Sequence, residues 1–396
     1  VLLSYTGLTQ SCMKYIKRRQ QRPSRLFPFI ARFASKPFAP ATIVVAIALF
    51  AGGFVGSKDL RIGDLDPGAP ELRPDSRYNL DNAFLTENYS TSTDVFVVMV
   101  ETLPQACGNH ATISAIDRFQ AVMSNTPGVQ SVISLVNISK RVTMAMNEGN
   151  PKWHTLSRNQ YILNNSLQHV PTSLINTDCS MVPVLIFLND HKAETLQAVT
   201  RDVETFAAEY STDEIQFILA AGNAGIEAAT NIVFSTAQYL MLALVYSVVA
   251  FLVFLTFRSW RAVVCNIVPL ALTSVLGQAL MAALGIGVKV ATLPVIALGV
   301  GIGVDYGIYI YSKMNTYFKR GSDVFAAYSK TLQTTGMAVG FTGITLAIGV
   351  GTWIFSPIKF QADMGLMLTF MFLWNMLGAL TLLPALAKYL VKPTAA

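Results

Sequence analysis

Apolar positions along this chain gather into long runs, and a polar stretch of more than a hundred residues separates the first run from the rest. A helix crosses a bilayer in about 20 residues. Pro40 to Gly56 is short but free of charge. Ile232 to Phe257, Ala262 to Leu284, Thr292 to Tyr311, Gln333 to Phe355 and Ala362 to Tyr389 are each long enough to span. The pattern predicts six transmembrane helices.

The polar stretch has a different rhythm. Residues Ser92 to Thr102 are rich in β-branched types and alternate in part, so they read as a strand. Thr112 to Ser124 sets Ile113, Ile116, Phe119 and Met123 on one helical face. Gly128 to Val136 and Met181 to Leu188 read as strands, Ala193 to Tyr210 as an amphipathic helix, and Ile215 to Ala220 as a strand. The intervening residues read as loop-rich. Two β-α-β passages in one insertion suggest split βαβ, ferredoxin-like subdomains. The predicted class is therefore an α-helical membrane protein with an α+β extracytoplasmic domain between helices 1 and 2. Its expected divisions are a basic segment over 1–39, a first span over 40–56, the α+β domain over 57–230, a five-helix bundle over 231–390 and a tail over 391–396.

Charge fixes an expected orientation. Only 13% of residues are charged and 52% are apolar, whereas a soluble domain carries about 25% charge. Lys14, Lys17, Arg18, Arg19, Arg22, Arg25, Arg32 and Lys36 precede the first run. By the positive-inside rule they hold the N-terminus in the cytoplasm. Arg258, Arg261, Lys313, Lys319, Arg320, Lys330, Lys388 and Lys392 then fall on the same side, against Lys289 and Lys359 opposite. Both termini are expected inside a bacterial inner membrane. The net charge of +6 needs no nucleic acid, because no aromatic-interleaved basic motif accompanies it. The opening VLLSY resembles ALAKY at Ala385 to Tyr389, so the chain reads as though an earlier span ends at its start.

Candidate chemistry is sparse. Cys107 and Cys179 share the outer domain, where an oxidising compartment permits a disulfide; two unpaired thiols are the alternative. Cys12 and Cys265 are expected reduced or lipid-buried. His110, His154, His169 and His191 show no metal-ligand spacing, and no enzyme constellation or cofactor motif stands out. Asp305 is the one acid inside a span away from its ends. An aspartate there costs about 2.5–3.5 kcal/mol on insertion scales, a cost expected only where the residue faces protein or water and has a task. Tyr306 follows it and could donate to a neighbour. Gly299, Gly303 and Gly307 form a packing groove on the opposite side, and Gly301 leaves room on the Asp305 face. Thr331, Thr335, Ala338, Thr342, Thr345, Gly349 and Thr352 recur at four and three spacing. Thr335, Thr342 and Thr345, nearest mid-membrane, read either as a partner surface for Asp305 or as side chains bonding their own backbone.

The segments FRSWRAVVCNIVPLALTS from Phe257, TLPVIALGVGIGVDYGIYIYS from Thr292 and AGNAGIEAATN from Ala221 resemble the resistance-nodulation-division (RND) superfamily. The branch with the mycobacterial large membrane proteins (MMPL), hopanoid exporters and sterol-sensing-domain proteins is nearest, and the likeness is to the C-terminal half. The resemblance implies half of a twelve-span pump whose porter domain moves lipid-like substrates on proton energy through an Asp-Tyr pair, here Asp305 and Tyr306. It also implies the missing N-terminal half, or a second copy, as partner, and leaves a higher oligomer open. Two other functions fit the layout: an accessory subunit of the protein-export translocon, and a non-transporting lipid-binding scaffold of the sterol-sensing kind.

Overall fold

The computed structural model describes residues 26–289 and 292–391. The basic residues up to Arg25, Cys12 and Lys392 lie outside that range. All six apolar runs are helical: α2 (Phe38–Gly56), α8 (Asn223–Phe257), α9 (Trp260–Leu284), α10 (Leu293–Phe318), the pair α11 (Val324–Thr331) and α12 (Met337–Gly351), and α13 (Lys359–Leu390). A short helix α1 (Leu26–Ala31) precedes them. Among the described residues, six helices are long and apolar enough to cross a membrane. Helix α13 runs through the middle, packed against α9, α10, α12 and α2. Met367, Met371, Phe372, Leu383 and Ala387 on it are buried.

Between α2 and α8 the chain builds a sheet unit from α3 (Arg77–Asn88), β1 (Val95–Thr102), α4 (His110–Met123), β2 (Val129–Ile133), α5 (Leu135–Ala145), α6 (Gln160–Leu167), β3 (Met181–Leu188), α7 (Ala193–Tyr210) and β4 (Ile215–Ala221). The strands are antiparallel in the order β2-β3-β1-β4. The two β-α-β passages therefore interleave in one sheet, making a single ferredoxin-like unit. Ile113, Ile116, Phe119 and Met123 of α4 are fully buried, as the spacing predicts. They meet Val199, Val203 and Phe206 of α7 in one core. Phe119 sits 5.1 Å from both Phe206 and Phe217, ring centre to ring centre. Cys107 and Cys179 are joined by a disulfide, with Cα atoms 5.2 Å apart.

Two details depart from the sequence reading. The strand predicted to reach Val136 stops at Ile133, because Ser134 caps α5 in a reciprocal box with Asn137. The stretch taken as loop-rich holds α5 and α6, which bury Leu135, Val136 and Leu163. Their short faces give too few periods to read from sequence.

The sheet is entered and left at one place. Asn223 accepts from the Val95 amide at 2.9 Å and donates to Thr93 O at 2.9 Å. Gly222, at φ +83°, makes that exit; a Cβ there would collide with Val95 O.

Candidate functional site

Asp305 lies at the midpoint of α10 and is exposed, on the same open face as Gly301 and Tyr309. A Cβ added at Gly301 would meet nothing within 4 Å. Asp305 has no hydrogen bond or ion pair among the described residues. The sequence reading has this acid facing protein or water, and among the described residues no protein lining covers it. What the fold does build is a bundle whose most expensive residue points outward from an apolar helix.

Tyr306 turns the other way. It is 2% exposed, packs in the core with Ile310, Met314 and Leu383, and its hydroxyl finds no partner among the described residues. Successive residues on a helix diverge by roughly 100°, so the adjacent acid and phenol serve different faces. On the inner side, Cβ atoms on Gly299, Gly303 and Gly307 would collide with Met371, Asn375 and Asn266 respectively. The close approach lets Asn375 Nδ2 donate to Gly299 O at 2.8 Å. Asn266 and Asn375 are both 2% exposed, and the Oδ1 atom of each lacks a partner. Sequence reasoning passed over these two asparagines. Their signal was available, since a polar amide inside an apolar run is costly in its own right.

The threonine stripe needs correction. Residues Leu332–Gly336 form a π turn between α11 and α12. The wide turn takes up one extra residue and shifts later positions by roughly 100° around the axis. Thr331 is accordingly buried and donates to Ala327 O at 2.8 Å, Thr335 is half-buried, and Thr342 and Thr345 are exposed. None of Thr335, Thr342 and Thr345 bonds Asp305 or, among the described residues, anything else. The single polar face predicted by uniform spacing is split in two.

A second constellation lies where the sheet unit meets the bundle. Residues 60–73, between α2 and α3, form a strap across the helix ends. Ile62 bridges Val288, and Leu72 bridges Ile358. Lys289 Nζ reaches Asp64 Oδ1 at 2.6 Å, Lys359 pairs with Asp66, and Arg73 Nη2 donates to Ser356 O at 2.6 Å. On its other side the strap holds the sheet unit, with the Ala193 amide donating to Asp64 O at 3.0 Å. The strap thus grips two interhelical connections and the start of α7 at once.

At its centre, one ring nitrogen of His191 and one carboxylate oxygen each of Asp64 and Glu227 lie within 4.8 Å of one another. His191 Nδ1 also stands 3.0 Å from Asp94 Oδ1. His191 and Asp94 are each 5% exposed. Burial disfavours the imidazolium, but the contact with Asp94 and the charges of Asp94, Glu227 and Asp64 outweigh it, pushing His191 up to about 9. The four residues come from the strap, the edge of β1, the β3–α7 connection and the first turns of α8. That spread explains why local spacing never marked them.

Beside the strap, a cleft of about 830 Å³ opens between α7 and the start of α8. Its lining includes the apolar Leu60, Ile62 and Ile232 and the charged Arg61, Glu194 and Arg201. Apolar and charged walls therefore share one space.

Comparison with known proteins accords with this architecture. The sequence model described as the MMPL family matches residues 77–393. A putative membrane protein of Methanocaldococcus jannaschii is 21% identical over 370 residues, covering 90% of this chain and 92% of that protein. The probable trehalose monomycolate exporter MmpL3 of Mycobacterium leprae is 30% identical over 175 residues, which is 43% of this chain and 18% of the exporter. The sulfolipid-1 exporter MmpL8 of Mycobacterium tuberculosis is 28% identical over 127 residues, or 31% of this chain and 12% of the exporter. The chain thus spans nearly all of the archaeal protein and a small fraction of the mycobacterial ones. With the family matched across most of its length, on a six-helix bundle carrying one ferredoxin-like unit, this chain belongs to the MMPL family, a branch of the RND superfamily whose members are transporters rather than enzymes.

Proposed function

We propose that this chain is half of a proton-driven exporter of hydrophobic or lipid-like substrates, with Asp305 carrying the proton. The observation behind the reading is the unpartnered mid-helix acid on an open face of the bundle. Left against lipid, such a group costs about 2.5–3.5 kcal/mol even on the mildest scales. The cost falls when a second half, or a second copy, covers the face and encloses Asp305 in a protein-lined path. RND-type repeats place their coupling sites at that seam. Thr342 and Thr345, also exposed, are the hydroxyls of this half free to line it, while Thr335 stands at the turn and Tyr306 backs the acid from inside. On this reading the sheet unit lies outside the inner membrane and both chain ends lie in the cytoplasm, which the basic residues Arg258, Arg261, Lys313, Lys319, Arg320 and Lys330 support.

Protonation at Asp305 removes the charge and lets the two halves repack. The strap then transmits that motion, because it fastens the connections at residues 286–289 and 354–359 to the sheet unit. The amphipathic cleft beside it suits a lipid, with headgroup against Arg61 and Arg201 and chain against Ile232. The lipid exporters among the relatives support that substrate class.

The test is export of a fluorescent lipid analogue from proteoliposomes holding the assembled transporter under an imposed pH gradient. Asp305→Asn is expected to abolish gradient-driven movement while the protein stays folded and assembled. Undiminished gradient-driven export by that variant would falsify the proton role. Binding of the lipid analogue by the parent protein with no export, gradient or not, would leave a lipid-binding scaffold instead.

A further inference from the structure

The His191 cluster has more chemistry than a joint between two units needs. Its members approach from four separate parts of the chain, and none is adjacent to another in sequence. Asp64 is held by Lys289 through Oδ1 alone. Glu227 Oε1 is buried with no hydrogen-bond partner among the described residues, whereas His191 Nδ1 stands 3.0 Å from Asp94 Oδ1, which leaves Nε2 as the ring nitrogen for a ligand. Buried polar atoms are nearly always satisfied, and one left open points to a bound species. Glu227 Oε1 is such an atom, and Asp64, Thr93, Asp94, His191 and Glu227 help to line one polar space beside it.

We propose that Asp64, His191 and Glu227 bind a divalent first-row metal cation of the zinc type, with Asp94 orienting the histidine. One imidazole nitrogen and two or three carboxylate oxygens are a donor set that suits such an ion. Charge balance points the same way. Without an ion, His191 pairs with Asp94 and Lys289 with Asp64; once a cation displaces the imidazolium proton, three carboxylates face one lysine, and a divalent ion offsets the two remaining negative charges. Ligand atoms around zinc sit about 2.1 Å from the metal, hence roughly 3.4 Å from one another in a tetrahedron. The ligand atoms here lie within 4.8 Å of one another, so the side chains have to close by at most about 1.4 Å. Asp94, beside the ring, is placed as metal-bound histidines usually have a carboxylate placed. Bound there, the cation crosslinks the strap, the sheet unit and α8. It is a structural clasp, set apart from the acid of α10.

The experiment uses the full chain in lipid nanodiscs, purified through a tag that contains no histidine. Zinc binding is measured by equilibrium dialysis with elemental analysis, and thermal unfolding is followed with and without zinc. The expected result is one saturable equivalent per chain, a zinc-dependent rise in unfolding temperature, and affinity that falls as protons compete at lower pH. His191→Ala and Glu227→Gln should each weaken binding at least tenfold and remove the thermal shift. Should His191→Ala lose its native circular dichroism, the near-isosteric Glu227→Gln decides the matter. Absence of saturable zinc binding overturns the proposal, as does equal binding by the parent and Glu227→Gln; the cluster is then an ion-paired joint only.

Discussion

The sheet unit and the helical bundle complete themselves to different degrees. The sheet unit closes one core from both of its layers, and Phe119, Phe206 and Phe217 pack there with the Cys107–Cys179 crosslink nearby. The bundle buries α13 thoroughly yet leaves Asp305, Thr342, Thr345, Phe341 and Ile348 outward-facing. An exposed Phe or Ile costs nothing against lipid, but an exposed aspartate does. The contrast teaches where to look for work: in the sheet unit a buried side chain serves the fold, whereas in the bundle the unfinished face holds the acid proposed to carry the proton.

Substitutions can break or sharpen that contrast. The largest stability loss belongs to Phe119→Ala, which empties a fully buried ring site and should cost about 3–5 kcal/mol; denaturant unfolding followed by near-ultraviolet circular dichroism measures it. Replacing Cys107 and Cys179 together by Ser should cost about 3–4 kcal/mol on the chain-entropy account. The matching control is reductant, which should lower the parent to the variant's unfolding midpoint. Gly222→Ala forces a side chain into a left-handed exit and should cost about 1–3 kcal/mol, seen as faster proteolysis near residues 93–95 and 221–223. Smallest is Asp305→Asn, expected to change unfolding by less than about 0.5 kcal/mol. A large destabilisation there would mean that the acid is structural after all, and the contrast between the regions would fail.

The legible parts of this molecule are those written in short-range periodicity. Ile113, Ile116, Phe119 and Met123 announce a buried helix face, and the six apolar runs announce helices by length alone. Ser134, whose cap ends β2 and starts α5, sits where propensity for strand and helix compete, and the cap decides. The threonine spacing fails for a sharper reason: one π turn at Leu332–Gly336 breaks the period on which the inference rests. Asp305 stands out in sequence as a charge in an apolar run, but its exposure does not, since that depends on which helices cover α10. The strap and the histidine cluster are invisible from sequence because Asp64 meets Lys289 across 225 residues and Asp66 meets Lys359 across 293.

Entry and exit through the Asn223 clamp give the sheet unit the character of a cassette. β1 and β4 are neighbours in the sheet, so its two tethers leave side by side. A head of another size grafted between Thr93 and Asn223 would leave both tethers side by side, provided that it keeps Asp94, His191 and Ala193, through which the strap holds the sheet unit to the helix ends.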